Sequence, residues 1–406
     1  MTPDGNTSET GGKPAERETQ DSPQAAKAQE SPQAREFVVS TSPHIRSRDS
    51  IARIMWTVSA SLLPAVAWGV YVFGPRVLEV VGLGIASAMA TEFACQAIRH
   101  KPITIGDGSA FLTGLLVALI FPVHIPWYVT VMGSVFGVGV AKHAFGGLGC
   151  NIWNPALAGR AFVVAAWTAT TTVGVGWPLP FHHLNPAPRV AGGTSSFDAV
   201  TGATALTKVK RRIRAFNSGQ RGLVPAPKSR LEAEESLKML ENDYEVATPI
   251  CDLVLGQTPG SVGEVNAVAL LLGGVVLVVL GIIKWQVPVF FIGTTALFTW
   301  LLPIPVQGEQ ARYYVWCAGH PLWEIYAGGL FLGAIYMATD MVTSPVTVKG
   351  RVIFAIGCGV ITAVIRRYGG YPEGVCYAIL LMNTATPLID RYTKVKVFGR
   401  RRKRDD

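Results

Sequence analysis

Long runs of apolar residues recur along this chain, with short polar stretches between them. A helix needs about 20 largely apolar residues to cross a bilayer, and somewhat fewer when neighbouring helices cover it. We therefore predict about ten transmembrane helices. The candidate spans are 54–73, 78–98, 109–121, 125–140, 155–169, 267–283, 287–303, 322–338, 352–365 and 375–388. The third, fifth and tenth are the weakest, because each is short or interrupted by Pro, Asn or other polar residues.

The apolar runs divide the chain into two membrane halves around one long polar loop. We expect a disordered tail over residues 1–36, a first membrane half over 37–169, a loop over 170–262, a second membrane half over 263–390 and a basic tail over 391–406. The N-terminal tail is nearly free of large apolar side chains, which is typical of disorder. It also lacks the apolar core that follows a basic start in signal peptides.

The fold class predicted is an all-α polytopic membrane protein with five helices in each half. An odd number of crossings gives the two halves opposite orientations, so a repeat between them would be inverted. A weak echo supports this prediction, since residues 144–147 (AFGG) lead to Asn151 in the first half, and residues 368–371 (YGGY) lead to Asn383 in the second.

The composition agrees with a membrane protein. Of the 406 residues, 49% are hydrophobic and 16% are charged, and the mean hydropathy is +0.33. The net charge of +9 could indicate nucleic-acid binding, but the basic residues cluster at the ends of predicted helices and at 400–404. That distribution more often reflects orientation and attraction to anionic lipid, so we expect lipid contacts and no nucleic-acid partner.

The six cysteines lie far apart and form no Cys-x-x-Cys pair. Such pairs are the usual mark of zinc and iron–sulfur sites, so the sequence predicts neither kind of metal centre. We interpret the cysteines as small buried residues. A single cysteine that shares a cluster with a neighbouring subunit is the alternative.

Basic residues in the short loops predict the orientation of the chain. With a cytoplasmic N-terminus, the loops assigned inside carry nine Lys or Arg and those outside carry four, a bias that follows the positive-inside rule. Both termini are then cytoplasmic and the long loop is extracytoplasmic. The residues counted are Arg46, Arg48, Arg53, Arg99, Lys101, Lys142, Lys284, Lys349 and Arg351 inside, and Arg76, Arg312, Arg366 and Arg367 outside.

The strongest chemical signal lies in the long loop, at residues 198–204 (DAVTGAT). Gly202 and Ala203 keep the backbone around Thr204 thin, so another enzyme could reach its hydroxyl and attach a phosphoryl group. Flavin mononucleotide (FMN) tethered by its phosphate would keep its ring free to take up electrons. The alternative is a turn capped by Asp198 or Thr204 that leads into a short helix.

A set of segments together resembles the D subunits of Rnf-type ion-translocating ferredoxin:NAD oxidoreductases. The B subunits of sodium-translocating NADH:quinone oxidoreductases are similar but more distant, and the resemblance covers roughly residues 37–399. Two departures are Thr201, where many relatives have Ser, and the pair Cys150 and Trp153 beside Asn151. The segments are 42–47 (SPHIRS), 141–151 (AKHAFGGLGCN), 154–156 (NPA), 198–204, 337–340 (MATD), 343–345 (TSP) and 366–374 (RRYGGYPEG).

The resemblance implies a role and a covalent cofactor. A flavin transferase would use FAD to attach FMN to Thr204, within a motif that includes Asp198, Thr201 and Gly202. Electrons would pass through flavins and iron–sulfur centres in several subunits, and their energy would drive sodium or protons across the bacterial cytoplasmic membrane. The resemblance also implies an inverted-repeat fold like that of urea and ammonium channels.

A second flavin, a non-covalent riboflavin, is implied at Asn151 and Asn154. Asn amides offer donors and acceptors to the pyrimidine edge of a flavin, and Pro155 would start a helix whose positive end favours a reduced, anionic ring. The alternative is that both Asn residues cap or cross-link broken helices. Arg160 could balance the charge of the reduced flavin, with snorkelling to lipid headgroups as its alternative.

Asp107 and Asp340 are the acidic residues nearest to membrane-embedded segments rich in Gly and Thr. A carboxylate at membrane depth is costly and so suggests an ion ligand or a proton carrier. Sodium binds several oxygens, and Thr339, Thr343 and Ser344 lie close to Asp340 in sequence. The alternative is that both Asp residues are ordinary helix caps at the water interface.

Together these features predict an electron-transfer subunit of a redox-driven translocase that carries covalent FMN. Its partners would be the other membrane and peripheral subunits of the complex, the flavin transferase and lipid. Two alternatives are a quinone-reducing B-type subunit and a solute channel of the same fold without redox chemistry.

Overall fold

The computed structural model describes residues 50–168, 249–264, 266–307, 312–371 and 373–394. Within 169–248 it describes only residues 177–178, 201–202, 204–207, 210, 213, 227 and 231–235. The predicted tail over 1–36, Asp198 and the basic residues 400–404 lie outside the described residues. The predictions made for them stay predictions.

The first half of the bundle consists of helices α1 to α5. Their bounds are Ile51–Phe73 (α1), Arg76–Ile98 (α2), Ser109–Leu119 (α3), Trp127–Val135 (α4) and Pro155–Ala166 (α5). A 3₁₀ turn, Ile105–Asp107, precedes α3, and a π-helix, Phe136–His143, continues α4. Capping side chains fix two of the helix starts, since Ser50 Oγ accepts from the N–H of Arg53 and Asn154 Oδ1 accepts from the N–H of Ala156.

The second half begins after the long loop and contains helices α6 to α12. Their bounds are Ile250–Leu255 (α6), Ala267–Val279 (α7), Gln286–Leu301 (α8), Pro321–Tyr326 (α9), Leu330–Leu332 (α10), Val348–Tyr368 (α11) and Val375–Tyr392 (α12). A π-helix, Gly333–Met337, continues α10. α8 packs along α11, and α12 also packs against α11.

Three of the described helices, α1, α2 and α11, are long and apolar enough to cross a membrane. α3, α5, α7 and α8 are apolar but shorter, at 10 to 17 residues. Short apolar helices occur in membrane proteins where the chain breaks inside a protein-lined interior. The structure therefore supports a mostly helical membrane protein, and the count of about ten spans stays a prediction.

The predicted span 322–338 is wrong as a continuous helix. The chain leaves the helical conformation after α9, because Ala327 is extended and Gly328 has φ +79°. Arg366 of α11 donates to the carbonyl oxygen of Ala327 at 3.0 Å. A backbone group released by the break is thus satisfied within the protein, which is the condition under which membrane helices tolerate breaks.

The all-α prediction is also wrong in one respect, because short antiparallel strands are present. β1 (Trp177–Pro178) pairs with β2 (Thr201–Gly202), and β3 (Ile304–Gln307) pairs with β4 (Arg312–Val315). Ile304 and Val306 alternate inward and pack against Ala233 of the long loop. This alternation is a strand signal too short to register in a search for helix-length runs.

The two ends of the bundle have different contents. At one end, which we call the terminal end, Thr347 at the start of α11 donates to Thr393 after α12 at 2.8 Å, and Ile54 of α1 lines the same cavity as Val342. At the other, the loop end, Lys210 donates to the Tyr371 carbonyl at 2.6 Å. α11 joins the two ends over 21 residues, about 30 Å at 1.5 Å per residue.

Candidate functional site

Thr204 caps a short helical turn, residues 205–207, at the loop end. Its Oγ1 accepts from the N–H of Thr207 at 3.3 Å and lies 2.7 Å from Thr207 Oγ1. This is the contact that a Thr at a helix N-cap makes with the third residue of the turn. Thr204 therefore caps a turn, as the alternative expects, and its side chain is buried at 8% exposure. Flavin attachment at Thr204 stays a prediction.

Apolar packing holds this turn against the bundle. Leu206 lies beside Gly328, where an added Cβ would come within 2.8 Å of Leu206 Cδ1. A side chain at position 328 would therefore displace Leu206. The buried cluster around the turn contains Ala205, Leu206, Leu253, Trp323 and Ala327.

The surroundings of Thr204 suit a phosphoester chemically. The N–H of Thr207 and the Thr207 hydroxyl both meet the oxygen that would carry the phosphate. Esterification removes the proton of that oxygen but leaves its capacity to accept hydrogen bonds. Thr201 and Gly202 form β2, and their part in an attachment motif, like that of Asp198, stays a prediction.

A cavity of about 80 Å³ lies near the terminal end. One water needs roughly 15 Å³, so this cavity has room for several waters or a small ligand group. Both halves of the chain contribute to its walls. Its polar lining comes from Ser109, Thr113, Lys142, Asn151, Asn154, Thr339 and Asp340.

Asn154 acts as a structural link between two broken helices. Its Oδ1 accepts from the N–H groups of Ala156 and Leu157 at the start of α5. Its Nδ2 donates to the carbonyl oxygen of Met337, at the end of the second π-helix, at 3.2 Å. With its amide oriented to donate to Ile379, Asn383 of α12 also accepts from the backbone N–H of Asn154 at 3.1 Å. Asn154 therefore caps α5 and cross-links the broken helices, as the alternative expects, and its contact with a flavin stays a prediction.

Asn151 has a different environment. Its Nδ2 donates to the Trp153 carbonyl at 3.2 Å, while its buried Oδ1 has no hydrogen-bond partner among the described residues. A buried acceptor without a partner is rare and calls for a ligand or water that supplies a donor. Of the two Asn residues, Asn151 is the one with an unpartnered acceptor beside the cavity, and its contact with a flavin stays a prediction.

Both acidic candidates at the terminal end accept hydrogen bonds within their own turns, and neither is the N-cap of a described helix. Asp107 Oδ1 accepts from the N–H and hydroxyl of Ser109 at 2.8 and 2.7 Å. Asp340 accepts from the Thr343 hydroxyl at 3.1 Å and from the Val342 N–H at 3.4 Å. Only Asp340 also lines the cavity, so it alone keeps the geometry of a possible ion ligand.

Arg160 lies in a charged cluster nearer the loop end. Its guanidinium meets Glu373 Oε2 at 2.5 Å, and the Glu373 carboxyl is within hydrogen-bonding reach of Glu264. Arg366 pairs with Glu324 in the same region at 3.4 Å. The snorkelling alternative for Arg160 is therefore wrong, because its charge is paired inside the protein. Contact between Arg160 and a flavin stays a prediction.

Comparison with known proteins identifies the family. Residues 38–399 match the model described as the NQR2, RnfD, RnfE family. The chain belongs to this family. Because the match extends from before α1 to beyond α12, both halves and the long loop lie within the family region.

Named relatives within the family match most of the chain. The D subunit of the proton-translocating ferredoxin:NAD(+) oxidoreductase complex of Clostridium ljungdahlii is 41% identical over 366 residues, 90% of this chain and 97% of the relative. The D subunit of the Na(+)-translocating ferredoxin:NAD(+) oxidoreductase complex of Acetobacterium woodii is 41% identical over 363 residues, 89% and 95% of the two chains. The D subunit of the ion-translocating oxidoreductase complex of Stutzerimonas stutzeri is 36% identical over 87% of this chain and 93% of the relative.

The family region also contains a buried ion pair that sequence reasoning missed. Lys142 of the first π-helix donates to Glu92 of α2 at 2.7 Å and to Ser109 Oγ at 2.8 Å. The Lys142 and Glu92 side chains are only 1% and 3% exposed. Gln96 donates to the other Glu92 oxygen at 3.0 Å, and His143 Nε2 lies 3.2 Å from Glu92. Glu92 lies deep inside the apolar run 78–98, whereas the other acid of that run, Glu79, lies at its start; this position was the available signal, since an acid at membrane depth needs a partner.

Two buried basic side chains change the charge count behind the predicted orientation. Lys142 belongs to the residues counted inside and Arg366 to those counted outside, but both side chains are buried. Removing each from its group leaves eight inside (nine minus Lys142) and three outside (four minus Arg366). The bias keeps its direction.

Among the described residues, no group of three or more His, Cys, Asp or Glu is placed to hold a metal ion.

Proposed function

We propose that this chain is the D-type subunit of an ion-translocating ferredoxin:NAD oxidoreductase and carries electrons on FMN attached to Thr204. The observation that carries the proposal is its match along at least 95% of the length of two relatives with that printed function. Such coverage leaves no large part of those relatives without a counterpart in this chain. Their activity as members of a complex also makes other subunits the expected partners.

The covalent flavin is supported by the motif and by the chemistry around Thr204. In the attachment reaction, a bond forms between Thr204 Oγ1 and the FMN phosphorus of FAD, and the bond from that phosphorus to the AMP phosphate breaks. AMP leaves, and the hydroxyl proton passes to solvent. The attached flavin supplies electron transfer, while Thr207 supplies hydrogen-bond donors to the attachment oxygen.

A dissociable flavin in the cavity is the second part of the proposal. Asn151 Oδ1, the unpartnered acceptor among the described residues of the lining, would accept from an N–H of the ring. Asp340 is our candidate ion ligand because it lines the same cavity. The similarity to relatives does not select the ion, because the two that share 41% identity are named for protons and for sodium.

We also propose that the chain lies in the bacterial cytoplasmic membrane with both termini inside and Thr204 outside. The positive-inside bias supports this orientation. So does the location of Thr204 and of the α1 start at opposite ends of the bundle. An exported flavin transferase would then meet its substrate on the outer side.

Two matched variants test the covalent flavin. Thr204→Val should abolish the yellow-green fluorescence of the protein band in a denaturing gel under ultraviolet light, because the acceptor hydroxyl is gone. Thr207→Val removes the neighbouring hydroxyl and should keep the fluorescence. If the Thr204 variant stays fluorescent, the attachment site lies elsewhere.

The purified complex separates the remaining functions. Reduction of NAD by reduced ferredoxin is the result expected for a D-type subunit. Oxidation of NADH by quinone without any ferredoxin activity would instead assign the B-type role. Wild-type protein that carries no covalent flavin and is active in neither assay would favour a channel of the same fold.

A further inference from the structure

We infer that Leu206 acts as a latch that keeps the Thr204 hydroxyl out of reach until the turn at 205–207 opens. The inference rests on the proposed function only for its consequence, which is that Leu206 sets the rate of flavin attachment. Its structural part, the packing of Leu206 that holds the turn beside Thr204 against the bundle, is independent of any flavin.

Burial of the turn is the first step of the argument. Thr204 is 8% exposed and Leu206 is 7% exposed, although both lie at the loop end of the bundle. A transferase active site must enclose both the hydroxyl and the phosphate of FAD, so it cannot act on an oxygen that the chain itself covers. The turn must therefore leave its pocket before the reaction.

Leu206 is the largest apolar side chain of the turn and resists this opening most. It packs in a cluster with Leu253 of α6 and with Trp323 and Ala327 of the α9 region. Gly328, which has φ +79°, leaves the space that the Leu206 side chain occupies. Thr204 contributes a cap contact with Thr207, but that contact lies within the turn and would survive its movement as a unit.

Truncation of a buried Leu to Ala shifts such a local equilibrium strongly towards opening, by about tenfold or more. A change to Met keeps most of the volume and should leave the equilibrium nearly unchanged. The pair Leu206→Ala and Leu206→Met therefore separates loss of the latch from mere substitution at this position.

A thiol at position 204 tests the latch without any flavin. In the full-length protein with its six native cysteines replaced, Thr204→Cys should react with a maleimide at least about tenfold more slowly than Leu231→Cys, a site that is 73% exposed in the wild type. Adding Leu206→Ala should raise the labelling rate of the Thr204→Cys protein about tenfold, and adding Leu206→Met should not. A matched protein that keeps only Cys358, which is 0% exposed in the bundle core, must stay unlabelled in the Leu206→Ala background, which shows that the bundle remains folded.

Flavin attachment then tests the consequence. With purified transferase and FAD, Leu206→Ala protein should gain gel fluorescence faster than wild type, and Leu206→Met protein should gain it at the wild-type rate. Equal labelling of Thr204→Cys and Leu231→Cys overturns the latch, even if wild type becomes fluorescent. The other result to distinguish is slow labelling of Thr204→Cys that Leu206→Ala accelerates, in a chain that never gains fluorescence. That result supports the latch and refutes the covalent flavin.

Discussion

Asn154 and Asn151 show how residues of one type, three positions apart, take different roles. Every polar atom of the Asn154 side chain has a partner in the chain, whereas Asn151 Oδ1 has none among the described residues. The sequence places both amides beside a helix start, but it does not show which amide forms its hydrogen bonds within the protein. The Met337 carbonyl decides this, and it lies 183 positions from Asn154.

Single substitutions should separate the two roles. Asn154→Leu removes the α5 cap, at a cost of about 1 kcal/mol, and leaves the Met337 carbonyl with only the long hydrogen bond from the Asp340 N–H at 3.5 Å, at a further cost of roughly 1 kcal/mol. We expect a clearly lower melting temperature in detergent. Asn151→Leu should keep the melting temperature and reduce the riboflavin released on denaturation, with covalent FMN unchanged. The opposite assignment of the two phenotypes would contradict our interpretation of the cavity.

Sequence reasoning at the residue scale identified chemistry but not partners. The terminal Thr of the motif, the two Asn residues and Asp340 all lie at a capped turn or along the cavity. For Arg160 the sequence suggests a flavin or a lipid headgroup as the partner. Its partner in the structure is Glu373, which lies 213 positions later in the chain. Pairing across that separation depends on how α5 and α12 pack, which no local pattern specifies.

At the scale of elements, runs of apolar residues predicted α1, α2 and α11 well but did not predict where helices break. The break before α10 depends on Gly328 and on a hydrogen bond from Arg366, which belongs to a different helix. The π-helix that continues α4 brings Lys142 against Glu92 of α2 and Ser109 of α3. Such breaks are compensated by tertiary contacts, so a count of apolar runs alone cannot locate them.

Close approach of α4 and α5 makes an element-scale prediction. A Cβ at Gly159 would lie 2.2 Å from the Gly133 carbonyl oxygen, whereas one at Gly293 of α8 would meet nothing within 4 Å. Small residues at such crossings let membrane helices pack backbone to backbone. Gly159→Ala should therefore lower the melting temperature and the yield of monodisperse protein in size-exclusion chromatography.

Gly293→Ala is the matched control, since it adds the same methyl group to a helix. It should leave both quantities unchanged or slightly improved, because Ala is a better helix former than Gly. Equal losses in the two variants would show that the α4–α5 crossing has no special role.

At the scale of the whole molecule, the two ends of the bundle divide the proposed tasks. The cavity with Asn151 and Asp340 lies near the terminal end, and Thr204 lies at the loop end. The charged cluster of Arg160, Glu373 and Glu264 lies between the cavity and Thr204, nearer the loop end. Two flavins on this protein would thus be separated along the membrane normal, which is the direction that a redox-driven translocase must connect to ion movement.

Orientation in the membrane is the prediction that this arrangement makes testable. Val346 is 76% exposed at the terminal end, where its N–H donates to Asp390 near the end of α12. Leu231 is 73% exposed and precedes Ala233, which packs on the β3–β4 pair at the loop end. The two sites are matched in exposure and in apolar character, so a difference in labelling reports the side of the membrane.

With a cytoplasmic terminal end and the six native cysteines replaced, a maleimide that does not cross the cytoplasmic membrane should label Leu231→Cys in intact cells. It should label Val346→Cys only after the membrane is permeabilised. The physical reason is the excess of basic residues in the short loops at the terminal end, which resist translocation, whereas the long loop crosses largely regardless of its own charge. Labelling of Val346→Cys alone in intact cells would reverse the orientation. An exported transferase could then no longer reach Thr204, and flavin attachment would have to take place on the cytoplasmic side.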